Sequence, residues 1–155
     1  MAIERTLIII KPDALQRSLL GEIVKRFENK GLKISGMKMM HLEDITLDEH
    51  YSHLKDKPFF AGIKNYMQSS PIVVVLLSGF NAVSAVRLIV GPKKGYEADA
   101  GSIRGDLSVS GQSNIVHASD SIENAQVEIE RFFKSEEIFE YKKIDELILN
   151  AEDEK

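Results

Sequence analysis

Ile72-Val73-Val74-Val75-Leu76-Leu77 is the plainest structural signal in the chain. It is apolar without interruption, rich in β-branched residues and far too short to span a bilayer, so it reads as a strand buried on both faces. Working outward, Asn81 is placed to cap a helix that turns Val83, Val86 and Val90 inward and carries Arg87 near its end. On the other side, a helix is expected after Pro58, running to about Gln68. Before it, Thr46-Leu47-Asp48-Glu49 has the form of a capping box, predicting a helix that carries His50, Tyr51, His53 and Leu54. Lys33 to Leu42 reads as a second strand. Leu20, Ile23, Val24 and Phe27 recur at helical spacing and end at Gly31, a helix C-cap. Thr6-Leu7-Ile8-Ile9-Ile10, closed by Lys11-Pro12, is a further buried strand.

Beyond Val90 the pattern breaks. Gly91 to Ser113 contains glycines at 91, 95, 101, 105 and 111 and shows no sustained period; long irregular segments of this kind in compact domains tend to be functional or disordered. Ile115-Val116 is a short strand signal ending at His117. Ser119-Asp120-Ser121-Ile122-Glu123 then opens a helix with Ile122, Ala125, Ile129, Phe132 and Phe133 inward. The element order is β-α-β, an inserted helix pair, then β-α-loop-β-α. It predicts an α/β (α+β) chain with a ferredoxin-like βαββαβ arrangement: an antiparallel four-stranded sheet with helices on one face. A doubly wound parallel sheet would need longer crossovers and ranks below it. A single domain over residues 1–150 is expected, with a charged, frayed tail at 151–155.

The 155 residues include 20 Lys+Arg against 24 Asp+Glu, a net charge of −4. That disfavours a protein whose whole surface binds nucleic acid, yet leaves room for a small cationic pocket. Cysteine is absent, which removes thiol catalysis, disulfides and thiolate metal sites. His41, His50, His53 and His117 show no HExxH spacing, so no protein-held metal is expected. No signal-peptide pattern or membrane-length apolar run occurs, and a cytoplasmic protein is expected. GxGxxG, the GxxxxGK[ST] loop and the HRD and DFG kinase signatures are all missing. A nucleotide would therefore have to be held by side-chain cations.

The cations at element ends or in the long loop are Lys11, Arg87, Lys93, Lys94 and Arg104. Taken singly, each reads as a solvated surface charge. Arg104 stands out, because flanking glycines permit close backbone approach and guanidinium suits bidentate phosphate contact. His117 is placed at a strand end beside a helix N-terminus, where anions are favoured. Ser121 and Glu128, seven residues apart, share the helix face that begins next to it and could orient the ring. Position alone leaves two readings open: a satisfied histidine at a strand end, or a nucleophile.

Asn114-Ile115-Val116-His117-Ala118-Ser119-Asp120-Ser121 resembles the active-site signature of nucleoside diphosphate kinases, Asn-x-x-His-Gly/Ala-Ser-Asp. The likeness extends from Thr6-Leu7-Ile8-Ile9-Ile10-Lys11-Pro12-Asp13 through Gly21-Glu22-Ile23 and the Tyr51 to Phe60 stretch to Ser102-Ile103-Arg104-Gly105-Asp106. The resemblance implies the ferredoxin-like fold and a ping-pong transfer of the γ-phosphoryl group from a nucleoside triphosphate to a diphosphate. His117 would carry the phosphate, on Nδ1. Lys11 and Asn114 would meet the sugar hydroxyls, Lys11 also lying near the phosphates. Phe59 would stack on the base, and Arg87 and Arg104 would hold phosphate oxygens. Tyr51, Ser119 and Glu128 would fix the histidine. Mg2+ would arrive on ATP or another nucleotide, and the enzyme would be a homo-oligomer, a hexamer in preference to a tetramer. Stacking reads no base edge, so broad base specificity is expected.

One stretch departs from the family pattern. Members usually read Gly-x-Thr-Asn-Pro where this chain has Gly91-Pro92-Lys93-Lys94-Gly95. Lys93 replaces a neutral donor by a cation and is expected to strengthen phosphate binding while Gly95 loosens the loop. Gly111 stands where a branched apolar residue is usual, thinning one wall of the base site. This departure is the sole sequence support for a family member that binds nucleotides without turnover. A ferredoxin-like sensor module would need neither His117 nor the cationic loop.

Overall fold

Leu7, Ile8, Ile9 and Ile10 are all fully buried, which a strand achieves only if both its faces are covered. In the computed structural model, which describes residues 3–149, 151 and 153, they belong to β1 (Ile3–Ile10). The other elements that place the site are α1 (Pro12–Gln16), α2 (Leu20–Asn29), β2 (Lys33–Met40), α3 (Asp44–His50), α4 (Phe60–Gln68) and β3 (Ile72–Phe80). They are followed by α5 (Ala82–Val90), α6 (Ile103–Leu107), β4 (Val116–Ala118), α7 (Ile122–Phe132) and α8 (Glu146–Leu149). The strands lie in the order β2-β3-β1-β4 and every pairing is antiparallel. This is the ferredoxin-like βαββαβ sheet, with α3 and α4 as the inserted pair.

The two faces divide the core. Ile8, Ile10, Val73, Val75 and Leu77 pack with Ile23 and Phe27 of α2 and Val86 of α5. Leu7, Ile9, Val74 and Leu76 pack with Leu47 of α3, Met67 of α4 and Ile129 and Phe132 of α7. Helices on one face therefore describe only the crossover helices α2 and α5. The inserted pair and α7 cover the other face, because alternate residues of β1 and β3 are apolar on both sides.

Several local expectations are corrected. The helix carrying His50 starts at Asp44, so Thr46 lies inside it, and it stops at His50; His53 and Leu54 fall in a single 3-10 turn, Ser52–Leu54. Asn81 takes the N-cap position of α5 with φ +48° and makes no capping bond; the Glu4 carboxylate accepts from Val83 N–H instead, at 3.1 Å. Ile122 is exposed, since Ser121 places it on the outer side of the first turn. The irregular stretch contains α6 and a 3-10 turn, Gly95–Glu97. The segment after α7 is tied to β2, where Ser35 O accepts from Phe139 N–H at 2.7 Å and Ile34 O from the Tyr141 hydroxyl at 2.8 Å. The expected fraying at 151–155 concerns residues that, apart from 151 and 153, lie outside those described.

Gly105 is a close approach: a Cβ there would lie 1.9 Å from the Asp99 carbonyl oxygen. Gly105→Ala should therefore displace α6 and lower stability by about 1–3 kcal/mol. Gly62, inside α4 with nothing within 4 Å, is the control, and Gly62→Ala should stabilise by about 0.4–1 kcal/mol. Denaturant midpoints of the two variants check both.

Candidate active site

A cavity of about 420 Å³ opens beside β4, where the ends of β1, α5 and α7 meet. Lys11, which leaves β1 just before the helix-opening Pro12, lies at one side with Arg87, Lys93, Arg104 and Asn114. His50, Tyr51, His117, Glu128 and Arg131 form the other. Phe59, the N-cap of α4, is 45% exposed and stands outside this lining.

β4 pairs His117 opposite Ile9, which brings one ring edge to α7. His117 Nε2 lies 2.9 Å from Glu128 Oε1, and Ser119 Oγ donates to Glu128 Oε2 at 2.5 Å. Ser119 is fully buried and its Oγ accepts from Leu7 N–H at 3.3 Å, tying the carboxylate to the sheet. Burial alone would raise Glu128, but the hydrogen bonds from His117 and Ser119 outweigh it and hold the group below the usual carboxylate range. An ionised carboxylate only accepts, so Nε2 is the donor of this contact, and in the neutral ring the lone pair then lies at Nδ1. Among the described residues the hydrogen bond of the ring is the one at Nε2. The orienting pair is thus Ser119 with Glu128. Ser121, expected to share this work, caps α7 by accepting from Asn124 N–H at 3.0 Å.

His50 is the residue that sequence reasoning missed. Its ring stands edge-on to His117 and to Tyr51, each at 4.7 Å between centroids. Its Nδ1 accepts from Arg131 Nη1 at 3.2 Å. Burial, with His117 next in effect, pushes it down to about 3, so it stays neutral beside Glu128. The one available signal was the spacing of Leu47, His50 and Tyr51, three and four residues apart at the end of α3, where Tyr51 is the C-cap. Tyr51 is pushed up to about 12, by burial and then by Glu128.

The cations are held in different ways. Arg104 donates from Nε to Asn114 O at 3.2 Å, from Nη1 to Gly91 O at 3.0 Å and from Nη2 to Val116 O at 2.6 Å. Two of its five N–H groups remain for a ligand. Burial and the nearby Arg87 bring it down to about 10. Arg87 and Lys93 are exposed at the cavity edge. Asn114 Nδ2 donates to Lys93 O at 2.8 Å, and its Oδ1 accepts from Lys11 Nζ at 2.6 Å. Lys11 falls from 10.5 to about 7, through burial first, then Arg104 and Lys93, against Asp13.

Between Asn114 and Val116 the backbone makes a tight turn. Ile115 sits at φ +74°, and Val116 N–H donates back to Asn114 O at 2.8 Å. This is the rare γ-turn, and a β-branched residue in such a conformation costs on the order of 1–3 kcal/mol.

Ligand atoms of His50, His117 and Glu128 lie within 4.8 Å of one another. Two imidazoles and one carboxylate, with the Arg131 guanidinium at His50, do not suit Mg2+, which takes oxygen ligands.

A family model described as nucleoside diphosphate kinase matches residues 4–138. The chain belongs to that family. It is 53% identical over 151 residues to the nucleoside diphosphate kinase of Parabacteroides distasonis, covering 97% of this chain and 99% of that one. It is 49% identical over 141 residues to that of Staphylothermus marinus, covering 91% and 100%. Among solved structures, the halophilic nucleoside diphosphate kinase of Halobacterium salinarum in complex with CDP superposes with a TM-score of 0.93 at 34% identity, covering 97% of this chain and all of that one. Like the family, this chain is an enzyme, a phosphotransferase of nucleotide metabolism. No helix among the described residues is long and apolar enough to cross a membrane.

Lys11 gives a pH prediction. Its folded pKa lies below the unfolded value, so the unfolded chain binds the proton more tightly. The resulting penalty is full below about pH 7 and disappears as pH rises toward 10.5. The stability of the ligand-free protein relative to Lys11→Met should therefore increase over that window, by up to about 1.4 kcal/mol per pH unit. Urea unfolding of both at several pH values measures it; a pH-independent difference would contradict the buried, near-neutral amine.

Proposed function

We propose that this nucleoside diphosphate kinase works by a ping-pong cycle in which His117 carries the phosphoryl group, with residues 1–150 acting as one catalytic domain. The observation that carries the reading is the committed ring: Nε2 is held by Glu128 at 2.9 Å, while the ring lines a cavity rich in cations. The Nδ1 lone pair attacks the γ-phosphorus, the bond to the β–γ bridging oxygen breaks, and the diphosphate leaves. A second diphosphate then attacks the phosphohistidine and restores the neutral ring. Phosphoryl transfer asks mainly for positioning and charge neutralisation. Arg87, Lys93 and the two remaining donors of Arg104 meet the phosphates, and the phosphates in turn draw a proton onto Lys11. Glu128 offsets the positive charge that develops on the imidazole, while Ser119 and Tyr51 keep it in place.

Lys11 and Asn114 hold the sugar, and Phe59 stacks on the base from the rim. A stacked base is not read at its edges, so purines and pyrimidines are both substrates; the relative solved with CDP supports the pyrimidine part of this. Mg2+ comes with the nucleotide as part of the substrate. The working form is a cytoplasmic homo-oligomer, a hexamer in preference to a tetramer.

Incubation with γ-labelled ATP and Mg2+, followed by a chase with GDP or CDP, tests the cycle. Wild type should hold acid-labile label and release it to either acceptor, and His117→Ala should hold none. Tight nucleotide binding by wild type without label would overturn the reading.

A further inference from the structure

Ile115 is fully buried and held at φ +74° two positions before His117. β4 is only three residues long, so it has little pairing with which to impose this backbone on its own. The restraint comes from the segment after β1. Asp13 Oδ2 accepts from Ile115 N–H at 3.1 Å, and Lys11 N–H donates to Ile115 O at 2.9 Å. The peptide is gripped at both polar groups from one side, while Arg104 holds the carbonyls of Asn114 and Val116. The other Asp13 oxygen, Oδ1, accepts from the Tyr66 hydroxyl of α4. A helix of the inserted pair therefore orients the carboxylate that restrains the turn.

We propose that Asp13 is a positioning residue for the phosphoryl transfer: its carboxylate keeps Ile115 in the left-handed turn, and that turn aims Asn114 and His117 into the cavity. This rests on His117 being the phosphate carrier. Asp13 touches neither the ring nor any lining cation by hydrogen bond; it acts through the backbone. Without it, Ile115 N–H loses its buried acceptor and the turn relaxes toward negative φ, the ordinary range for a β-branched residue. Glycine at 115 would adopt positive φ without a restraint.

That difference supplies the test, a cycle of Asp13→Ala and Ile115→Gly read by single-turnover labelling of His117, with nucleotide affinity and unfolding midpoints measured alongside. Asp13→Ala should slow labelling by about ten- to a hundredfold, with a smaller effect on affinity, if the strain is released into the reaction geometry. In the Ile115→Gly background the same change should cost far less. Asp13→Asn, which keeps an acceptor for Ile115 N–H, should retain most of the rate. The HN–Hα coupling of residue 115 should move from its positive-φ value in Asp13→Ala and stay put in Asp13→Asn. Equal losses in both backgrounds, an unchanged coupling in Asp13→Ala, or Asp13→Asn as slow as Asp13→Ala would each overturn the proposal; the last would mean that Asp13 acts by its charge on Lys11. Should Asp13→Ala fail to fold, Tyr66→Phe is the substitute, with a milder slowing that Ile115→Gly also relieves. A wild type that forms no phosphohistidine would refute the cycle itself, while the coupling would still report on the restraint.

Discussion

A carboxylate that can only accept hydrogen bonds decides the chemistry of this site. Glu128 holds His117 by Nε2, and in the neutral ring this leaves the lone pair at Nδ1, the atom proposed to take the phosphoryl group. The rest of the architecture serves that contact. α7 delivers Glu128, β4 delivers His117 opposite Ile9, and the buried Ser119 binds the carboxylate to β1 through Leu7. His50 closes the remaining side as a neutral ring. Its neutrality matters: a charged imidazole there would compete for Glu128 and weaken its hold on His117.

The opposite wall shows how a cationic cavity is built without a glycine-rich phosphate loop. Arg104 directs three donors to the carbonyls of Gly91, Asn114 and Val116, and so ties the loop, the γ-turn and β4 together. Lys11 is buried beside Arg104 and Lys93 and gives up much of its charge, which limits like-charge repulsion in the ligand-free protein. Such preorganised dipoles and charges contribute most where charge spreads in the transition state. The price is local strain, concentrated at Ile115.

Strands β1 and β3 were legible because an unbroken apolar run has few other folds. Their burial on both faces also meant that one layer of helices could not suffice, although the element order suggested one. His117 was expected at the end of a strand over Ile115 and Val116, but the γ-turn takes up Ile115 and β4 carries His117 at its centre; the role proposed for it comes from the surrounding signature. α6 was illegible because five residues around Gly105 carry no period, and Ser102 capping and the Arg104 carbonyl bonds define it. Ile122 looked inward by spacing, yet the phase of α7 is set by its Ser121 cap. The conformation of Ile115 could not be read at all, since nothing local to an isoleucine favours positive φ. His50 lay hidden in the same way, its partners 81 and 67 residues distant in sequence, at Arg131 and His117.

The claim that Glu128 selects the reactive nitrogen is tested most directly by NMR of the phosphorylated, 15N-histidine-labelled enzyme. Phosphorus coupling should appear at Nδ1 of His117, with Nε2 still protonated and hydrogen-bonded. Phosphate on Nε2 would contradict the account, because that nitrogen could not also be the donor to Glu128.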